Sequence, residues 1–398
     1  MCASSFNISV KAGRPHPRAV NLACGDDDGG GGGGGEEEGR HSPSFGMSSI
    51  VREACGDVRV VGLTLLQWPT GGVFGWRTSL RELKDVSIAE EDGDFQRGAQ
   101  GGSVAKALLS DGSFHVRAVT RNPRKRAARE LARLGAEVVK ADLERPESLR
   151  LALDGASAIF LVTDYWELGD KEREVTQGKA VGDLAKKVGV RHVVFSGLED
   201  VNRLTGGRLQ VSHFDGKGEV ERHLRHISLP ATCLRMPSYF ENFIEHFRPQ
   251  PEPRGGYRLG EYEIPMADIP MDGMSVEDLG PVVVTILKNR SEYIGKDIGL
   301  SAERLTIQQY AEVLSRQLKR SIRAAEVGTR LSAFALFRCI SPEEYEKLPF
   351  PGAQDLANMF RFYRMRPERD LNLTRRLNPV VLGFEEWLSR NLHHFADL

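Results

Sequence analysis

The sequence predicts an α/β fold: a doubly wound parallel sheet with a smaller, mostly helical second domain, preceded by a disordered segment. Two patterns carry this. From Gly98 onward, short and nearly continuous apolar runs alternate with helical periods, the rhythm of parallel βαβ units whose strands are covered on both faces. After about residue 240 that rhythm lapses, Pro249, Pro251, Pro253, Gly255 and Gly256 mark a loop, and amphipathic helical stretches follow. With 398 residues and 40% hydrophobic content, the chain has room for these parts and a sizeable core.

The first 97 residues differ in kind. Asp26 to Asp28, Gly29 to Gly35 and Glu36 to Glu38 form an acidic, glycine-rich block that cannot bury enough surface to offset its chain entropy. Residues 1 to about 50 are therefore expected to be disordered. The stretch 58–66 has strand character. Nearby, Thr70-Gly71-Gly72-Val73-Phe74-Gly75 superficially suggests a nucleotide loop, but Pro69 interrupts the join and the spacing is not GxGxxG.

Over 98–240 the expected order is a helix at 102–109 ended by Gly112, a strand at 115–120, and a helix at 124–134 opened by Pro123 and closed by Gly135. A strand at 137–140, a helix at 146–153, a strand at 158–163, a helix at 171–188 and a strand at 192–196 follow. A helix at 213–226 and a strand at 231–235 complete the sheet. The second domain, 241–398, is expected to hold helices at 276–288 and 306–318 and an insertion near 328–339.

Lysine and arginine number 54 against 55 acidic residues, so no global charge draws the chain to nucleic acid or to a membrane. The five cysteines are scattered, with no CxxC pair, and no metal site is predicted. No run has the length of a membrane span or a signal peptide, which predicts a cytoplasmic chain, with the nucleus as a second address.

Gly98-Ala99-Gln100-Gly101-Gly102 before an apolar helix is the back half of a dinucleotide fingerprint. Small residues let backbone approach a pyrophosphate, and the helix N-terminus presents N–H groups and a positive dipole end to it. By itself this is a weak signal, shared with plain turns. Position strengthens it. The second strand ends in Thr120-Arg121-Asn122-Pro123-Arg124-Lys125-Arg126, where an acid reads the ribose of NAD and arginine the 2′-phosphate of NADP. Cations at a helix N-terminus oppose the dipole and call for an anion, although a solvated helix start and a nuclear-import tract fit the same residues. Asp142 ends the third strand, suited to an adenine edge and equally to capping. Thr163-Asp164-Tyr165 leaves the fourth strand at the carboxyl edge.

Together with Trp166, His213-Phe214-Asp215-Gly216-Lys217-Gly218, Tyr239-Phe240-Glu241-Asn242, Pro270-Met271-Asp272-Gly273-Met274 and Asp355-Leu356-Ala357-Asn358-Met359-Phe360, these residues resemble the NmrA-like family. Its members are atypical within the short-chain dehydrogenase superfamily. The resemblance implies a Rossmann-type sheet and NADP(H) binding by Arg121, Asn122, Arg124 and Lys125, by Asp142 with Leu143, by Thr163, Asp164 and Tyr165, by Lys217, and by Tyr239, Phe240, Glu241 and Asn242. Gly98, Gly101, Gly102 and Thr120 complete the expected cofactor site.

Two departures stand out. Phe95-Gln96-Arg97 occupies the place of Gly-Gly-Thr, and the acidic segment before it replaces the apolar first strand, which reads as missing or substituted. Working dehydrogenases of the superfamily also use Tyr-x-x-x-Lys, whose lysine lowers the phenol pKa; here the segment is His213-x-x-x-Lys217. No catalytic residue is assigned, His213 and Tyr239 being the candidate acids.

The leading expectation is an NADP(H)-binding redox sensor, without dehydrogenase turnover, whose cofactor state controls protein-partner binding. The resemblance suggests argininosuccinate synthase as one partner and a homodimer as one state. The alternatives are an NADPH-dependent reductase of a small carbonyl or quinone, and a partner-binding protein that no longer holds cofactor.

Overall fold

A computed structural model describes residues 62–65, 85–86, 99–167, 169–253, 255–260, 264–324 and 340–398, all within one compact unit, Phe45–Leu398. The disorder expected over 1–50, the turn at 70–75, Gly98 and the insertion near 328–339 lie outside the described residues.

The main sheet has eight strands: β1 (Gly62–Leu65), β2 (Asp85–Val86), β3 (His115–Thr120), β4 (Glu137–Lys140), β5 (Ala158–Val162), β6 (His192–Gly197), β7 (Ala231–Arg235) and a late strand, Asp297–Gly299. From the late strand inward the order runs through β7, β6, β5 and β1 to β3, with β4 also paired to β3. The pairs β3–β4, β5–β6 and β6–β7 are parallel. Winding therefore reverses between β3 and β5, and the carboxyl ends flanking that slot border the crevice where doubly wound sheets bind ligands.

The slot itself is the main surprise. It holds β1 antiparallel to both neighbours, with Thr64 opposite Ala118 and Leu63 opposite Leu161, while β2 runs parallel to the start of β3. The facing edges of β3 and β5 need ladder partners, and an antiparallel segment supplies N–H and C=O groups as well as a parallel one. The first 97 residues thus contribute to the sheet from within the stretch of strand character.

Helices α1 (Ala99–Asp111), α2 (Arg126–Arg133), α3 (Pro146–Leu153), α4 (Lys171–Lys187) and α6 (Ser212–His226) follow the expected order, and a short unexpected helix, α5 (Val201–Leu204), precedes the last of them. Two begin at unexpected places. α1 starts at Ala99, and α2 starts only at Arg126, because Asn122 first closes a turn, accepting from Arg124 N at 3.0 Å and Lys125 N at 3.2 Å. α4 and α6 pack closely because Gly178 and Gly182 admit Val220 and Leu224; a Cβ on either glycine would come within 2.5 Å of those side chains.

The chain then forms two three-stranded sheets. β8 (Ser238–Tyr239), β11 (Met271–Met274) and β13 (Glu303–Leu305) make one; β9 (Pro249–Pro251), β10 (Tyr257–Leu259) and β14 (Ile322–Arg323) make the other. Between them in chain order lie α7 (Leu279–Lys288), the late strand, now β12, and α8 (Ile307–Leu318); α9 (Ala353–Arg364) and α10 (Phe384–Asn391) follow. α8 opens on a capping box in which Thr306 and Gln309 each bond the other's backbone N–H. This region is not separate from the sheet. β12 pairs parallel with β7, and Gly280 at the start of α7 sits against the Ser103 carbonyl of α1, where a Cβ would lie 2.4 Å away. Among the described residues no helix is long and apolar enough to cross a membrane.

Candidate functional site

The carboxyl edge is built strand by strand. At the end of β3, Thr120 is buried and its Oγ1 accepts from Asn122 N at 3.1 Å, fixing the exit of the chain. Arg121 turns toward the loop after β5, where its Nη1 donates to Glu167 Oε1 at 3.0 Å. After β4, Asp142 caps its own turn, Oδ1 accepting from Glu144 N at 3.1 Å, and the Leu143 side chain is buried in the core beneath the sheet. Asp142 is thus placed as a cap, and Leu143 offers only backbone to a ligand above it.

After β5 comes the densest knot of polar groups. Lys217 Nζ donates to the Thr163 carbonyl at 2.6 Å, to Thr163 Oγ1 at 3.1 Å and to Glu174 Oε1, while Thr163 Oγ1 donates to the same carboxylate oxygen at 2.7 Å. An ammonium has three N–H bonds, and all three have acceptors within the protein. Glu174 Oε2 is buried without a hydrogen-bond partner.

Beside the knot, Asp164 Oδ1 accepts from Trp166 N at 2.8 Å and shapes a tight turn. Trp166 and Tyr165 lie against His213, with ring centroids 4.8 and 5.9 Å away. His213 Nδ1 pairs with Asp355 of α9, so the second region supplies the partner of the residue standing in the tyrosine's place. Burial would raise the Asp355 carboxyl pKa, but the bond and charge of His213 outweigh it and hold the carboxyl below its ordinary value.

A second polar chain crosses the sheet edge. Ser196 Oγ, at the end of β6, donates to Gln100 Oε1 at 2.6 Å, and Gln100 Nε2 donates to the Tyr239 hydroxyl at 2.6 Å. Burial pushes the Tyr239 phenol pKa well up. Gly101 and Gly102 lie buried in the first turn of α1. Asn242 Nδ2 donates to Ser238 Oγ at 3.2 Å. The Phe240 and Glu241 side chains belong to the core. Phe240 packs edge-on to Phe384, and Glu241 accepts from Ser275 Oγ at 2.6 Å, Val276 N at 3.1 Å and Trp387 Nε1 at 3.2 Å.

The structure therefore brings together Arg121, Thr163, Asp164, Tyr165, Lys217 and His213 around one edge, and adds Gln100, Ser196, Glu167, Glu174 and Asp355, to which sequence reasoning gave no site role of their own. Ser196 had a usable signal, a polar residue closing a core strand at the carboxyl edge. The donor set fits a dinucleotide phosphate: a guanidinium beyond the second strand and a buried pair of glycines at a helix N-terminus. Elsewhere Glu221, Cys233 and Asp297 come within 4.8 Å of one another, but Arg225 and Arg235 neutralise the carboxylates and burial pushes the Cys233 thiol well up, so the group is an ion-pair cluster.

Comparison with known proteins agrees with this architecture. An NmrA-like family domain-containing protein of Dictyostelium discoideum is 33% identical over 234 residues, 56% of this chain and 76% of its own length. NmrA-like family domain-containing protein 1 of Rattus norvegicus is a homologue, 29% identical over 301 residues, 76% of this chain and 94% of its own length. Among solved structures, the negative transcriptional regulator NmrA in complex with NADP superposes with a TM-score of 0.62 at 21% identity, over 75% of this chain and 94% of that one. That likeness shows a shared fold. The model of the NmrA-like family matches residues 97–388, and this chain belongs to that family.

Proposed function

We propose that this chain binds NADP(H) at the carboxyl edge of the sheet and acts as a redox sensor, its cofactor state deciding which protein partner it engages. The observation that carries the reading is the placement of its polar groups. Arg121 follows the strand end where arginine would read a 2′-phosphate, whereas the usual proton-transferring tyrosine is replaced by His213 and Lys217 is bound inward by Thr163 and Glu174. The NADP complex of the related fold supports the cofactor class. Arg121, the first turn of α1 and Thr163 would hold the dinucleotide, which when bound supplies a hydride donor or acceptor. Tyr239, the other candidate acid, is held by Gln100, and its raised pKa makes it a poor proton carrier near neutral pH.

A sensor needs partners whose affinity differs between states, because a ligand bound equally by both shifts nothing. Argininosuccinate synthase and a second copy of this chain are the proposed partners. Calorimetric titration with NADPH, NADP and NADH tests the cofactor, and sedimentation with each partner, with and without NADPH, tests the switch. Absence of NADP(H) binding overturns the reading. NADPH oxidation with a carbonyl or quinone that collapses in His213→Phe would replace it with a reductase.

A further inference from the structure

We propose that Glu167 is a built-in competitor for the 2′-phosphate of NADP(H), so that phosphate binding at Arg121 releases the turn that runs from Asp164 to Glu167; this rests on the cofactor reading above. Arg121 and Glu167 pair at 3.0 Å, with side chains 20% and 6% exposed. A carboxylate so enclosed needs a cation beside it. A 2′-phosphate brings about 1.5 to 2 negative charges to the same guanidinium and favours its planar fork. Two anions on one guanidinium repel each other, so the phosphate takes the place of the carboxylate.

The displaced residue is mechanically connected. Its turn is closed by Asp164 Oδ1 accepting from Trp166 N and by Tyr165 O accepting from Gly169 N, both at 2.8 Å. Trp166, the adjacent residue, lies on His213 of α6, the helix that also carries Lys217. Its ring is partly exposed, so releasing Glu167 changes an outward-facing surface as well as the ring contact. NAD and NADH lack the phosphate and leave the pair closed. NADP and NADPH carry the same phosphate, so this latch reports occupancy by the phosphorylated dinucleotide, whichever its oxidation state.

The test titrates the full chain and Glu167→Gln calorimetrically with NADP, NAD and 2′,5′-ADP, following Trp166 emission against a Trp166→Phe control. Glu167→Gln should bind NADP and 2′,5′-ADP about ten-fold more tightly, bind NAD as before, and show without ligand the emission of NADP-saturated wild type. Unchanged NADP affinity in Glu167→Gln overturns the latch and leaves the cofactor reading intact. Loss of NADP binding by both proteins overturns the cofactor reading and the latch with it. If Glu167→Gln does not fold, Glu167→Asp, with the charge kept and the reach shortened, must bind NADP more tightly than wild type; equal affinity overturns the proposal.

Discussion

Two cation–carboxylate pairs stand on the same sheet edge and differ in how deeply they are enclosed. Lys217 and Glu174 are 12% and 1% exposed, and every N–H of the ammonium has an acceptor in the protein. Arg121 and Glu167 are more open, at 20% and 6% exposed, and the planar fork of a guanidinium suits a phosphate as well as a carboxylate. The first pair ties α4 to α6 and, through Thr163, to the end of β5, and holds the shape of the site. The second, in the latch proposed above, exchanges one anion for another. On that proposal, identical charges serve as framework or as receptor according to burial.

The sharpest way to break this contrast is Lys217→Ala. It leaves Glu174 as an uncompensated buried charge and should destabilise the fold by about 3–5 kcal/mol, read from urea denaturation. NADP affinity and partner switching should fall with it. A variant that melts like wild type and loses only affinity would make Lys217 a ligand contact and erase the distinction. Arg121→Glu acts on the ligand as well as the fold: it should weaken NADP by about 1.5–3 kcal/mol more than NAD, and it should also lower stability, because it sets a second carboxylate beside the enclosed Glu167. Equal loss for both dinucleotides would show that Arg121 reads no phosphate.

A third carboxylate sharpens the comparison, since Asp278 is buried and bonded to Asn378 Nδ2 and Leu382 N in place of a close cation. Burial pushes its pKa from 3.8 up to about 6. The folded value lies above the unfolded one, so its contribution is present below pH 4 and is lost as pH rises through 6, by about 2–3 kcal/mol. Asp278→Asn should therefore lose stability relative to wild type at pH 4 and recover that difference by pH 7; a gap constant across that range would exclude the titration. Asp355 has the opposite sign. Its lowered pKa makes the His213 pair fail as pH falls. The smallest effect is expected from His213→Phe, which keeps a ring under Trp166 and should leave NADP affinity within about two-fold, measured calorimetrically.

Much of this edge is legible in the chain itself. The strands at 137–140 and 231–235 emerge with their expected bounds because Gly135 and Pro230 punctuate the chain just before them, and Arg121 can be placed because the end of the second strand has a fixed location in the fold. The partners of the charged groups are not legible. Glu167, Glu174 and Asp355 lie 46, 43 and 142 residues from Arg121, Lys217 and His213, and only the folded sheet brings them into contact. Tyr239 to Asn242 teach a related lesson. One short motif holds both an edge-facing phenol and two core side chains, which residue type alone does not separate. The direction of β1 was equally hidden, because strand propensity carries no sense of polarity.

The pairing of β12 with β7 has a thermal consequence. A chain ending at residue 240 would expose the β7 edge and lose the helix packed on α1 through Gly280. The nucleotide half therefore lacks a folding transition of its own. Both halves should melt together, with calorimetric and van't Hoff enthalpies in agreement. A dinucleotide bound at the sheet edge would then raise the melting temperature of residues that never touch it.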